Sequence, residues 1–164
     1  LELKPALIGQ YRAGLAMVRQ CIEVCPDDVW AAANEHPRTF WRIAYHALFY
    51  THFYCMPDHE SFTPWDRHVA HGVVLWDDDE DGIPPDETTY SQVDLLGYVD
   101  FVSANIGDWV NALDLSSAES GFPWYPIPKL DHQLVNLRHL GIHLGQLQER
   151  LFAVGIDTDW VGRR

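Results

Sequence analysis

The chain has 164 residues, nearly half of them apolar, enough for one ordinary domain with a real core. Eleven Lys and Arg stand against twenty-four Asp and Glu, a formal charge of −13. That balance repels phosphate backbones and argues against nucleic acid as a partner. No stretch is apolar enough for a membrane span, and no basic, apolar leader precedes the first helix, which predicts a cytoplasmic chain with no membrane partner.

Residues 3 to 24 predict an amphipathic helix, with Leu7, Tyr11, Leu15, Val18 and Ile22 on one side and Pro26 ending it. A polar connection through Asn34 and Pro37 leads to a second helix over residues 38 to 55, dense in aromatics from Phe40 to Tyr54 and stopped by Pro57. Cys21, Cys25 and Cys55 have no framework spacing and read as small core residues. Residues 57 to 89 form a long excursion rich in Pro and Gly, with the acidic run Asp77 to Asp81 as a solvated loop and short ordered pieces around Val69 to Trp76.

Ser91 and Asp94 make a capping box, with Tyr90 and Leu95 as its hydrophobic staple, and open a third helix over residues 92 to 113. A second irregular connection, residues 116 to 129, places Phe122, Trp124 and Tyr125 among three prolines. The fourth helix, residues 131 to 154, closes on Gly155 as its left-handed residue, with Ile156 folding back. Four helices with long connections between the second and third and between the third and fourth predict a single all-α domain over residues 1 to 164, a four-helix bundle.

The fourth helix carries a stripe of His132, Asn136, His139, His143, Gln146 and Arg150, with Leu130, Leu134, Leu137, Leu144 and Leu151 opposite and Leu140, Ile142 and Leu147 on the flanks. Imidazoles and amides suit a shielded polar site better than open water. His139 and His143 are one turn apart and can reach one ion, although nine histidines in this length give about half such a pair by chance. A third ligand is needed. His46, mid-way along the aromatic helix, reads either as that ligand or as a core histidine bonded to a carbonyl. His68 and His71 form a rival pair but read as loop residues, and His52 as surface or core.

The run Trp41-Arg42-Ile43-Ala44-Tyr45-His46-Ala47-Leu48-Phe49-Tyr50, then Asn136-Leu137-Arg138-His139-Leu140-Gly141-Ile142-His143-Leu144-Gly145-Gln146-Leu147, resembles the DinB-like (YfiT-like) superfamily. Gly155-Ile156 and Trp160-Val161-Gly162 are similar to that family's tail. The resemblance implies a four-helix bundle, often a homodimer, with a metal ion held by His46, His139 and His143. It also implies a small-molecule substrate, since relatives include transferases of low-molecular-weight thiols and a maleylpyruvate isomerase.

Three neutral imidazoles leave a coordination position open, the arrangement of a catalytic ion, and zinc or nickel suits three nitrogens. The expected activities are thiol transfer to an electrophile, hydrolysis with metal-bound water, or metal or ligand binding without catalysis. His139-Leu140-Gly141-Ile142-His143 lacks the Glu of a His-Glu-x-x-His protease. Asn136 and Gln146 are the candidates to orient the imidazoles. Tyr50, Trp124, Tyr125 and Arg138 are the candidates to line a pocket, which the 57 to 89 excursion is expected to cover in part.

Overall fold

The computed structural model describes residues 2–32, 38–69, 75 and 90–163, and they contain five α-helices and no strand. In chain order they are α1 (Leu3–Val24), α2 (Asp27–Trp30), α3 (Phe40–Tyr54), α4 (Gln92–Ala112) and α5 (Lys129–Phe152). The acidic run, the Val69 to Trp76 stretch apart from Val69 and Leu75, and His71 lie outside the described residues. No helix among the described residues is long and apolar enough to cross a membrane.

The apolar stripe of α1 is buried as its spacing requires, with Tyr11, Val18 and Ile22 fully enclosed. Pro26 ends α1 but also begins something the hydropathy pattern did not reveal. Its carbonyl accepts from the N–H groups of Val29 and Trp30, opening the single-turn α2 with Asp27 and Asp28 at its positive end. Trp30 then donates its indole N–H to the carbonyl of Tyr90, 2.8 Å away, pinning this turn to the start of α4.

All of α3 except Tyr50 and Phe53 is buried, the polar Arg42, His46, Thr51 and His52 included. It begins two residues later than its sequence suggests, because Thr39 is extended. At α4 both bonds of the capping box form: Ser91 Oγ accepts from the Asp94 N–H, and Asp94 accepts from the Ser91 N–H. Gly155 adopts φ +80°, and the N–H groups of Gly155 and Ile156 close on the carbonyls of Phe152 and Leu151, the Schellman arrangement.

The main helix contacts run from α1 to α4, α4 to α3, α3 to α5 and α5 back to α1. This makes α5 a helix with two inward neighbours, and it corrects the expected orientation of its leucines. Leu134 and Ile142 are more than half exposed, whereas His132, Gln133, Asn136 and His143 are buried beside Leu140, Leu144, Leu147 and Leu151. The polar stripe of α5 thus lies within its buried arc, facing α3.

Candidate metal centre

Side chains on α5 and α3 pair in antiparallel order. Gln133 donates its amide to the Tyr54 carbonyl at 2.8 Å, and Asn136 donates to the Thr51 carbonyl at 3.2 Å. One turn further along α5, His139 meets His46. These amide bonds fix the register of the two helices, and the register brings the imidazoles of His46, His139 and His143 together.

The three rings stand 4.4 to 4.9 Å apart between centroids, and they converge through their Nε2 atoms. His139 Nε2 lies 3.0 Å from His46 Nε2 and 3.1 Å from His143 Nε2. Nitrogens bound at about 2.0–2.1 Å to one ion stand roughly 3.0 Å apart in an octahedral array and roughly 3.4 Å in a tetrahedral one, by simple geometry on the usual bond length. The two spacings at His139 fall at the compact end of that range, all three ligand atoms lie within 4.8 Å of one another, and the three histidines could hold a metal ion.

A neutral imidazole nitrogen carries either one proton or one lone pair. His143 Nδ1 faces Gln146 Oε1 at 2.8 Å, so with the amide oxygen accepting, the ring's proton is on Nδ1 and Nε2 is a bare lone pair. A cation held there would face this lone pair and the Nε2 atoms of His139 and His46 together.

Burial keeps the α5 imidazoles neutral. Desolvation, followed by the charge of His143, lowers the His139 pKa to about 4. Desolvation also lowers that of His143, against the raising effect of Gln146 and with the Arg38 charge adding to the fall. Tyr50 forms the wall next to this group, its ring 4.6 Å from that of His46 and 5.2 Å from that of His139.

The other candidate residues lie at graded distances. Gln146 touches the cluster directly. Asn136 directs its amide N–H groups to Thr51 and to Cys55 Sγ instead, and its Oδ1 is buried with no partner among the described residues. Tyr125 packs on Tyr54 and His132, and Tyr54 in turn lies 6.5 Å from His139, so one side chain separates Tyr125 from the three histidines. Trp124 is half exposed and packs on Phe53, His59 and Phe122. Arg138 is exposed.

Two of the remaining described histidines, His52 and His68, are engaged elsewhere. His52 stacks flat on Trp109 and pairs with the Tyr98 hydroxyl, and His68 pairs with the Tyr45 hydroxyl and stacks on Phe49. Gln133 escaped the sequence reading because it sits just beside the stripe. Its amide ties α5 to α3, while its Oε1 accepts from the Tyr11 hydroxyl of α1 at 2.9 Å. Arg38 was also missed, although Arg38, Arg42 and His46 recur at four-residue steps.

No family model, curated protein or solved structure matches this chain.

Proposed function

We propose that this chain is a metal-dependent enzyme, a four-helix bundle of the DinB-like type, in which His46, His139 and His143 hold one zinc or nickel ion. The observation that carries this reading is the convergence of three Nε2 atoms from two packed helices, with that of His143 left as a lone pair by the bond of its Nδ1 to Gln146. An ion held by three neutral imidazoles keeps a position for an incoming group, and it would acidify a water or a thiol bound there.

Transfer of a low-molecular-weight thiol to an electrophile is the version we favour. In such a transfer the S–H bond breaks and its proton passes to solvent as the new C–S bond forms. The bond from carbon to the leaving group breaks with its electron pair going to that group, or, in an addition, the π pair moves to the neighbouring atom, which takes up a proton from solvent. Two features support an external thiol. The residue following His139 is Leu140, buried and apolar, where a protease of this spacing would carry its glutamate base. The chain's own thiols are poorly suited to attack, because burial raises Cys21 to about 11 and Cys25 and Cys55 to about 12.

Cobalt-substituted protein tests the reading. Added millimolar thiol is expected to produce sulfur-to-cobalt charge-transfer absorption in the near ultraviolet, and His143→Ala is expected to abolish it. A cobalt spectrum unchanged by thiol, with ester or amide cleavage by the same protein, would replace thiol transfer with hydrolysis.

A further inference from the structure

The antiparallel register of α3 and α5 carries past the histidines. Beyond His46 the chain runs back through Arg42 to Arg38, and beyond His143 it runs on to Arg150. Each end residue lies roughly 10 Å along the helix axes from the imidazoles, about two turns. The first turn of α3 and the last turn of α5 therefore meet at one level, and the register places Arg38 and Arg150 at the same end of this helix pair.

This is an unusual place for two guanidinium groups in so acidic a chain. Neither Arg38 nor Arg150 is ion-paired among the described residues, whose salt bridges involve Arg19 and Arg67. Arg38 donates its Nε–H to the Leu75 carbonyl at 2.8 Å, a contact that fixes the side chain and leaves its terminal nitrogens uncommitted to it. Arg150 alone is explained by the negative end of α5, where a cation is favourable. Arg38 is not, because it stands at the positive end of α3.

The start of α3 is itself incomplete. Thr39 occupies the N-cap position without making the usual side-chain bond to the first turn, and no acidic residue stands in that turn. Its Oγ1 is buried with no partner among the described residues, although the residue is only 6% exposed. A helix start with no side-chain cap, an orphan hydroxyl and two cations make a complementary seat for an oxyanion.

We infer that the substrate carries an oxyanion, a carboxylate or a phosphate, that docks at the N-terminus of α3 between Arg38 and Arg150, with Thr39 donating to it. The second half of the inference, that the other end of the same molecule reaches the three histidines, rests on the metal reading above. The spacing requires several bonds between the anionic group and the reacting end, so a substrate whose only polar group is the one bound to the ion would leave this seat empty.

Calorimetry on untagged, zinc-loaded, full-length protein tests this with succinate, its neutral analogue succinamide, and inorganic phosphate. At least one anion is expected to bind saturably, and succinate at least about tenfold more tightly than succinamide if the natural group is a carboxylate. Arg38→Gln and Arg150→Gln are each expected to weaken the bound anion by roughly tenfold while zinc content stays unchanged. Tighter binding of phosphate than succinate, with the same arginine dependence, selects phosphate as the group.

Should a variant fold poorly, amide NMR shifts at residues 39 to 42 of the wild type are expected to move on anion addition. Equal binding of succinate and succinamide together with no phosphate binding, wild-type anion affinity in both variants, or unmoved amide shifts would overturn the inference. The metal reading fails separately, through absence of zinc uptake, and the anion titrations can still be read on that metal-free protein.

Discussion

Gln146 Oε1 stands 2.8 Å from Nδ1 of His143, and this contact turns the opposite nitrogen of the ring toward His139 and His46. An acceptor on the far side fixes both tautomer and ring orientation, and loss of such a partner commonly costs 10- to 100-fold in metal affinity. Gln146→Ala is therefore expected to weaken zinc binding by about tenfold or more without unfolding the protein. Competition against a chromogenic chelator measures it, and wild-type affinity would remove Gln146 from the account.

Two histidines outside the cluster make stability depend on pH. Burial lowers His52 and His132 to about 4, and lesser effects come from His68 and Lys129 respectively. The unfolded chain takes up these protons near the ordinary value of 6.5, while the fold resists them until about 4. Stability is thus full above pH 6.5 and is lost progressively down to about pH 4. Melting temperature of the metal-free protein, measured across that window, should fall with acid. A flat profile would contradict the burial of these rings as neutral groups.

His132 permits a sharper test. Both of its ring nitrogens are buried with no partner among the described residues, and the ring is enclosed by Tyr54, Phe122 and Tyr125. An unsatisfied polar group in an aromatic cage costs free energy, so His132→Phe is expected to stabilise the protein by about 1–2 kcal/mol at neutral pH and by more at pH 5. Chemical denaturation at the two pH values measures this. Destabilisation at both would show that His132 makes a bond that this packing does not reveal.

Gly121 holds the α4–α5 connection against the end of α3. It has φ +82°, its carbonyl accepts from the His59 N–H, and a Cβ there would run into the Pro57 carbonyl oxygen and the backbone of Asp58. Gly155 has a similar φ of +80° but nothing within 4 Å of the Cβ position. Gly121→Ala should cost about 3 kcal/mol or more, and Gly155→Ala about 1 kcal/mol, since the second pays only for the dihedral. Equal losses in denaturant midpoints would mean that the connection yields at Gly121.

Helix signals were strong where local chemistry dictates structure. The capping box at Ser91, the left-handed Gly155 and the apolar stripe of α1 can each be read within a few residues. The short α2 was illegible because its four residues have no periodicity, and its stability comes from Trp30 reaching Tyr90 sixty residues away. In α5 the periodicity was legible but its direction was not. A stripe of imidazoles and amides opposite leucines gives two candidate inner faces, and the packing of α1 and α3 on the same helix selects between them. His46 was ambiguous for a similar reason: a buried histidine in an aromatic helix acquires its meaning from what α5 places opposite it.

Metal content of freshly purified protein, made without a polyhistidine tag, tests the central claim most directly. Elemental analysis after mild buffer exchange should find close to one divalent ion per chain in the wild type and in His52→Ala. It should find almost none in His46→Ala, His139→Ala or His143→Ala, each of which leaves only two imidazoles for the ion. Wild-type protein without an ion that takes up neither added zinc nor nickel, or His46→Ala with full metal content, would contradict the three-histidine centre.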